Sequence, residues 1–449
     1  MKNTKNIVLG ILILITIVGW FTIATGGKKG SEKIDTRAYI TQADKWVEEG
    51  LYQRAILNYT KVINQDNAEG NWTKIIKAYD LRYNESNDIL SDYIATLENA
   101  VKAYPKNVDF IQRLYELHME VGSYEKAFNC LNTAVANGVK NQDILDELKE
   151  LKYSYSARLE YYKDFRSISL DSYAVTNGEL WGRVAANGDT ILPVAYKYAS
   201  PAGASGATVY SLEKDSRIIS NSNFVYGIFS FDVTESGCYA DDLVPVLKDG
   251  KYNYYDCFAK ESFGGYKYAG SFQNGYAAVQ TDKGWNIIDK TGKDVSGTFA
   301  DILVDTNGNY MTGSVMVAAK EKNKYQFFDA TGKAKNSFTA ENMDICMGSD
   351  IVAFEKNGKW GFVNTDGKVV IDPQYDDAKS FAYGLAGVCK DGKWGFINTD
   401  NELAIKYDFI DVDYFNSTGS CFVKNYVENL EDAEKNYEWQ MITLNLGIR

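Results

Sequence analysis

Histidine is almost missing from this chain: His118 is the one copy in 449 residues. A metal site built on two histidines of one chain is therefore excluded. A histidine general base or a Ser–His–Asp triad would have to use His118 or not exist. Cysteine is scarce in the patterns that carry chemistry. None of Cys130, Cys238, Cys257, Cys346, Cys389 and Cys421 forms a CxxC, and their spacing fits neither a zinc site nor a compact disulfide framework. Six buried or half-buried thiols are the expectation. No GxSxG, P-loop, dinucleotide fingerprint or HExxH occurs either. Basic residues fall short of acidic ones, 48 against 60, for a net charge of −12. Binding to nucleic acid needs Lys and Arg to displace counterions from phosphates, so nucleic acid is not an expected partner. No metal, cofactor, catalytic residue or particular binding residue follows from the sequence.

One long apolar run is present. Residues 7–25 read IVLGILILITIVGWFTIAT, 19 positions without a charge. That is the length needed to cross ~30 Å of hydrocarbon at ~1.5 Å per residue. Trp20 and Phe21 lie near one end, where aromatic rings favour the interface. A cleaved signal peptide fits less well, because the run exceeds a usual apolar core and no A-x-A site follows. The expectation is a six-residue tail (1–6), a single-pass signal anchor (7–25) and a linker (26–35). Lys2 and Lys5 precede the run and Lys28, Lys29 and Lys33 follow it, so the flanking charge is nearly balanced. The short leading tail favours a large C-terminal part outside the cytoplasm.

From residue 36 the apolar spacing becomes helical. Gly50-x-Tyr52-x-x-Ala55-Ile56-x-x-Tyr59-x-x-Val62 returns as Gly122-x-Tyr124-x-x-Ala127-Phe128-x-x-Leu131-x-x-Ala134, 72 residues on. A weaker copy with Tyr93, Leu97, Ala100 and then Pro105 lies between them. Small residues such as Ala55 and Ala127 let antiparallel helices approach closely. Gly50 and Gly122 suit the left-handed position that ends a helix, and Pro105 cannot continue one. The segment 36–163 resembles the tetratricopeptide (TPR) repeat, with repeats expected at 36–69, 74–107 and 108–141 and a capping helix across 142–163. The middle copy departs from the pattern, with Tyr93 where alanine is usual. The resemblance implies a groove for a peptide; a stalk or dimerisation surface is the alternative. His118 falls on the first helix of the third repeat, where a packed core residue is expected.

Residues 170–449 carry a second repeat. Lys-Trp-Gly-Phe occurs at 359–362 and 393–396, and weaker copies centre on Trp181, Tyr252, Trp285 and Tyr325. Seven residues after the aromatic stands Gly188, Gly292, Gly332, Gly367 or Asn401; the Tyr252 copy departs with Ala259. Positions six and eight before it are apolar in every copy, as in Val352 and Phe354 or Ala386 and Val388, which is a strand with one buried face. Asn177-Gly178, Asp249-Gly250, Asn357-Gly358 and Asp391-Gly392 stand where a tight hairpin turn is needed. These motifs resemble the WG-repeat family of bacterial proteins. The resemblance implies a β-repeat domain and brings no biochemistry with it. One diverged unit is expected around 209–219, giving about seven. A three-stranded unit cannot bury its own faces and must stack on its neighbours. A closed β-propeller is favoured over an open array, with a terminal strand across 438–446 completing the first blade.

The fold class expected is thus multi-domain α + β: membrane helix, TPR-like solenoid, all-β repeat domain. The function expected is a non-enzymatic, membrane-anchored binding or scaffold protein of the cell envelope that holds a protein or peptide. A wall- or carbohydrate-binding module is the alternative, and a glycosidase a remote one. The aromatics at the repeat register are expected in the core. The Tyr-rich stretches 252–255 and 266–268 are where exposed aromatics for the carbohydrate alternative are to be sought. Asp366, Asp376, Asp377 and Asp391 are read as turn residues, and Asp305-x-Asn307-Gly308-Asn309 as an Asn-Gly turn with only a faint likeness to a calcium loop.

Overall fold

A computed structural model describes residues 33–203, 206–220, 224–313, 315–427 and 437–448. The tail 1–6, the expected membrane segment 7–25 and most of the linker 26–35 lie outside the described residues, as does most of the acidic stretch 428–438. Among the described residues no helix is long and apolar enough to cross a membrane. The chain divides into two compact units between Ile144 and Leu145.

The first unit is three antiparallel helix pairs. They are α1 (Thr36–Glu48) with α2 (Tyr52–Ile63), α3 (Glu69–Tyr83) with α4 (Leu90–Ala103), and α5 (Val108–Glu120) with α6 (Tyr124–Ala136). The repeat glycines work as the sequence requires: Gly50 and Gly122 have φ of 73° and 67° and end α1 and α5. Ala55 and Ala127 are fully buried at the close approach between helices. In the middle pair the bulkier Tyr93 is also fully buried, and it lies flat against Tyr79 at 5.1 Å between ring centroids. The larger side chain is accommodated because its hydroxyl donates to Asp80 at 2.7 Å. His118 is buried, as expected of a core residue.

The capping helix expected across 142–163 is a correction. The helix there, α7 (Gln142–Lys152), ends at Lys152, and Tyr155–Tyr162 is a β-strand of the second unit. The run YSARLEYY carries three tyrosines, an aromatic content that suits a strand. It pairs antiparallel with Tyr437–Leu444, Tyr155 opposite Leu444 and Tyr162 opposite Trp439.

The second unit is a propeller of eight blades, one sheet per blade. The expected hidden unit exists as blade 2, whose middle strands are Thr208–Ser211 and Ser216–Ile219. The count of about seven missed the last blade, which has no Trp-Gly signature. Blade 8 consists of Asp411–Val412, Ser420–Tyr426 and Tyr437–Leu444, with Tyr155–Tyr162 as its outermost strand. Contrary to the expectation, the terminal strand does not complete the first blade; a strand from the beginning of the unit completes the last one. The ring closes through side chains too. Tyr173, Val175 and Val184 of blade 1 share an apolar cluster with Phe422, Trp439 and Met441 of blade 8. Each of the other apolar clusters in the ring likewise draws on two adjacent blades, as Phe362 and Ile371 of blade 6 do with Val388 and Ile397 of blade 7. This is the burial that no three-stranded unit achieves alone.

The Trp-Gly pair has a local cause. Each of Gly182, Gly361 and Gly395 lies opposite a register shift in the outermost strand. That strand passes so near that a Cβ would meet its backbone at 2.8, 2.5 and 2.6 Å respectively. In blade 3 Asn253 stands at this position, and the outer strand supplies the missing space instead: a Cβ on Gly264 would meet Asn253 Cα at 2.5 Å. The turn seven residues on is left-handed in Gly188, Gly367 and Asn401, and also in Ala259, with φ of 60°. Both central residues have positive φ at Asp249-Gly250, Asn357-Gly358 and Asp391-Gly392, as a type I′ turn requires. At Asn177-Gly178 only the glycine does, since Asn177 Oδ1 accepts from the Glu179 and Leu180 amides and holds another turn.

Candidate functional site: two cavities at the centre of the propeller

The short innermost strands bring polar side chains to the channel, where two cavities lie. The larger, 560 Å³, is lined from blades 1, 3, 4 and 5. The smaller, 390 Å³, is lined from blades 6, 7 and 8. Between them the channel is crossed by hydrogen bonds from blade 1 to blade 5: the Ser167 amide donates to Thr306 Oγ1 at 2.6 Å, and Asn307 Nδ2 donates to the Ser167 carbonyl at 2.6 Å.

In the larger cavity the guanidinium of Arg166 lies 5.6 Å from the ring centroids of both Trp181 and Tyr198. Its Nη1 donates to the carbonyls of Ser236 and Thr306 at 3.2 and 3.3 Å. Tyr252 donates its hydroxyl to Glu235 at 2.5 Å, and burial together with that carboxylate raises the phenol's pKa. Asp305, pushed up by burial, accepts from the amides of Asn307 and Asn309 at 2.8 Å each. The 305–309 segment is thus a hydrogen-bonded turn, as expected.

The smaller cavity gathers carboxylates around one ammonium. Lys379 pairs with Asp411 at 3.5 Å and lies over the rings of Trp394 and Tyr414 at 5.7 and 5.9 Å. Tyr414 donates to both oxygens of Asp344, at 2.8 and 2.7 Å. Burial pushes Asp344 up; Asp377 rises from burial and the neighbouring Asp344 and Asp411 charges. Burial also lifts Asp413, just beyond the cavity lining, to about 7. Asp377 is therefore more than the turn residue expected: it sits on the innermost strand of blade 7 and lines the cavity. Asp391 keeps its turn role, with φ of 52°.

The aromatic residues divide differently from the expectation. The register tryptophans Trp285 and Trp394 are each 8% exposed and packed in the inter-blade clusters, as core residues should be. Yet Trp181, Trp360 and Trp394 also present an edge to a cavity. In the Tyr-rich stretches where exposed aromatics were sought, Tyr252, Tyr254 and Tyr255 are buried. Their hydroxyls find partners in Glu235, the Gly270 carbonyl and Glu261, which lets the rings pack inward. Tyr252 and Tyr268 do reach the larger cavity. Arg166 and Lys379 were not singled out in the sequence; the signal they leave is a basic residue two places after an aspartate, Asp164 and Asp377, at the start of a unit. All six cysteines are unpaired, four buried and two half-buried.

Paired helices followed by a ring of repeated blades make this a protein of two stacked-repeat domains, TPR-like and β-propeller. The model of the WG containing repeat matches residues 265–285, 360–394 and 394–425. The chain is similar to TPR repeat-containing protein MJ1428 of Methanocaldococcus jannaschii, 27% identical over 157 residues, which is 34% of this chain and 25% of that protein. It thus spans about a quarter of the length of that curated relative. Among solved structures, BamB from Moraxella catarrhalis aligns over 65% of this chain and 96% of its own, at 11% identity and a TM-score of 0.39. The first TPR of Spaghetti (RPAP3), solved with an HSP90 peptide, aligns over 26% of this chain and 89% of its own, at 18% identity and a TM-score of 0.21.

Proposed function

We propose that this protein is a membrane-anchored, non-enzymatic scaffold of the cell envelope that holds a protein partner on its helical repeats. The observation that carries the reading is the face shared by the first helices of successive pairs. Lys74 of α3 holds Asp44 of α1 through both carboxylate oxygens, at 2.7 and 2.8 Å. Arg113 of α5 holds Asp80 of α3 at 2.8 Å and Glu116 at 2.9 Å. Tyr83 of α3 donates to Glu120 of α5 at 2.5 Å. Such a ladder fixes the spacing of the first helices and leaves charged groups half-exposed along one face, which suits an extended peptide read by charge. The apolar run 7–25 supports a membrane anchor.

The test is site-specific photo-crosslinking in cells with the crosslinker at exposed Lys77 of α3 and, as control, at exposed Leu57 of α2. The reading predicts one defined adduct from position 77, absent from position 57 and weakened by Arg113→Ala. Equal labelling at both positions would count against it. A second reading, a carbohydrate-binding module, is favoured by the aromatic edges at both cavities and predicts retention on cell-wall polysaccharide that Trp360→Ala abolishes.

A further inference from the structure

The larger cavity holds a cation and a carboxylate that are not paired with each other or with any other ionic group among the described residues. Arg166 is gripped by its Nη1, on the Ser236 and Thr306 carbonyls, and by the two flanking rings. Its Nε and Nη2 donors have no hydrogen-bond partner among the described residues. A guanidinium edge with two parallel donors matches a carboxylate, and arginine cannot escape its charge by losing a proton. The two carbonyls it grips belong to the neighbours of Glu235 and Asn307, which brings those side chains to the same cavity. Glu235 has one oxygen on the Tyr252 hydroxyl and the other unclaimed. Asn307 is 1% exposed and fixes this wall of the cavity, its Nδ2 donating to the Ser167 and Ile168 carbonyls at 2.6 and 3.5 Å.

We infer that this cavity binds a zwitterion of the α-amino acid type, as a free amino acid or a short peptide. Its carboxylate sits on the free edge of Arg166, its ammonium on the free oxygen of Glu235, and its side chain against Trp181 and Tyr268. The charges select this class. A simple anion would meet Glu235, and a simple cation would meet Arg166; a zwitterion satisfies both. At 560 Å³ the cavity falls in the range of pockets that hold small molecules. Of the other lining carboxylates, Asp305 is satisfied by the Asn307 and Asn309 amides and by Asn309 Nδ2, and Asp164 accepts from the Phe165 amide; both add negative charge that favours the ammonium end. The inference goes beyond the scaffold reading and does not depend on it.

The experiment is a thermal-shift screen of the full-length protein against the twenty amino acids and a set of glycyl dipeptides at millimolar concentration. Calorimetric titration of the best binder follows, with its amide and its N-acetyl derivative. The expected result is one preferred amino acid or dipeptide, bound more weakly by about tenfold or more once either end is blocked. Arg166→Lys and Glu235→Gln should each weaken it comparably. Glu235→Gln retains an oxygen for Tyr252, so it remains a test even if Arg166→Lys fails to fold. The inference is overturned if nothing in the screen binds, if a blocked derivative binds as well as the parent, or if Glu235→Gln leaves the affinity unchanged.

Discussion

A single missing Cβ explains the motif that names the repeat. Gly182, Gly361 and Gly395 are required because the outermost strand bulges against them. Gly361→Ala should therefore destabilise the propeller by about 1–3 kcal/mol, in the range of overpacked cores. Urea melts followed by tryptophan fluorescence measure this. The departure at Ala259 points the other way. It occupies a left-handed conformation, with φ of 60°, that an L side chain enters at a cost of roughly 1–2 kcal/mol. Ala259→Gly should raise stability by about 1 kcal/mol in the same melts. The buried acid Asp413 makes a pH-dependent contribution. Its pKa rises from 3.8 to about 7 through burial, with Asp411 and Asp344 adding to the rise and Lys379 opposing it. The native state then holds the proton more tightly than the unfolded chain. Its stabilisation is complete below the unfolded value and is lost as pH rises through about 7. Asp344 and Asp377 shift in the same direction. Relative to Asp413→Asn, the natural protein should lose stability as pH rises from about 4 to about 7; parallel pH profiles of the two proteins would contradict this.

At the scale of elements, the sequence was legible wherever the repeat register ran. The apolar positions before each register aromatic, from Tyr173 and Val175 through to Ala386 and Val388, are all buried. The helix pairs lie where Gly50, Pro105 and Gly122 placed their ends. Legibility failed where a strand lacked the register. YSARLEYY follows a charged helix without a glycine or proline, so its helical-looking continuation hid a strand whose partner lies about 280 residues away. The same long-range pairing hid blade 8, since no local spacing reports on it. The cavities were illegible for a related reason. Arg166, Glu235 and Asn307 come from three different blades, and only ring closure brings them together.

At the scale of the whole molecule, two units each bury their own core: the helix pairs share one apolar cluster, and the propeller is stitched blade to blade. Closure of the ring is the central structural claim, because both cavities exist only inside it. Tyr155–Tyr162 contributes a full outer strand, the Tyr162 ring set edge-on to Phe422 at 5.9 Å, and the Arg158 carbonyl that accepts from Gln440. The decisive comparison is the melting temperature of a chain covering 145–449 with that of one covering 164–449, which omits α7's end, this strand and the flanking Tyr153, Ser154 and Lys163. If the strand closes the ring, the shorter chain melts lower by several degrees or fails to fold, since each lost kcal/mol moves a domain of this size by about 1.5 °C. Equal melting temperatures would contradict the account and leave the eighth blade complete without its borrowed strand.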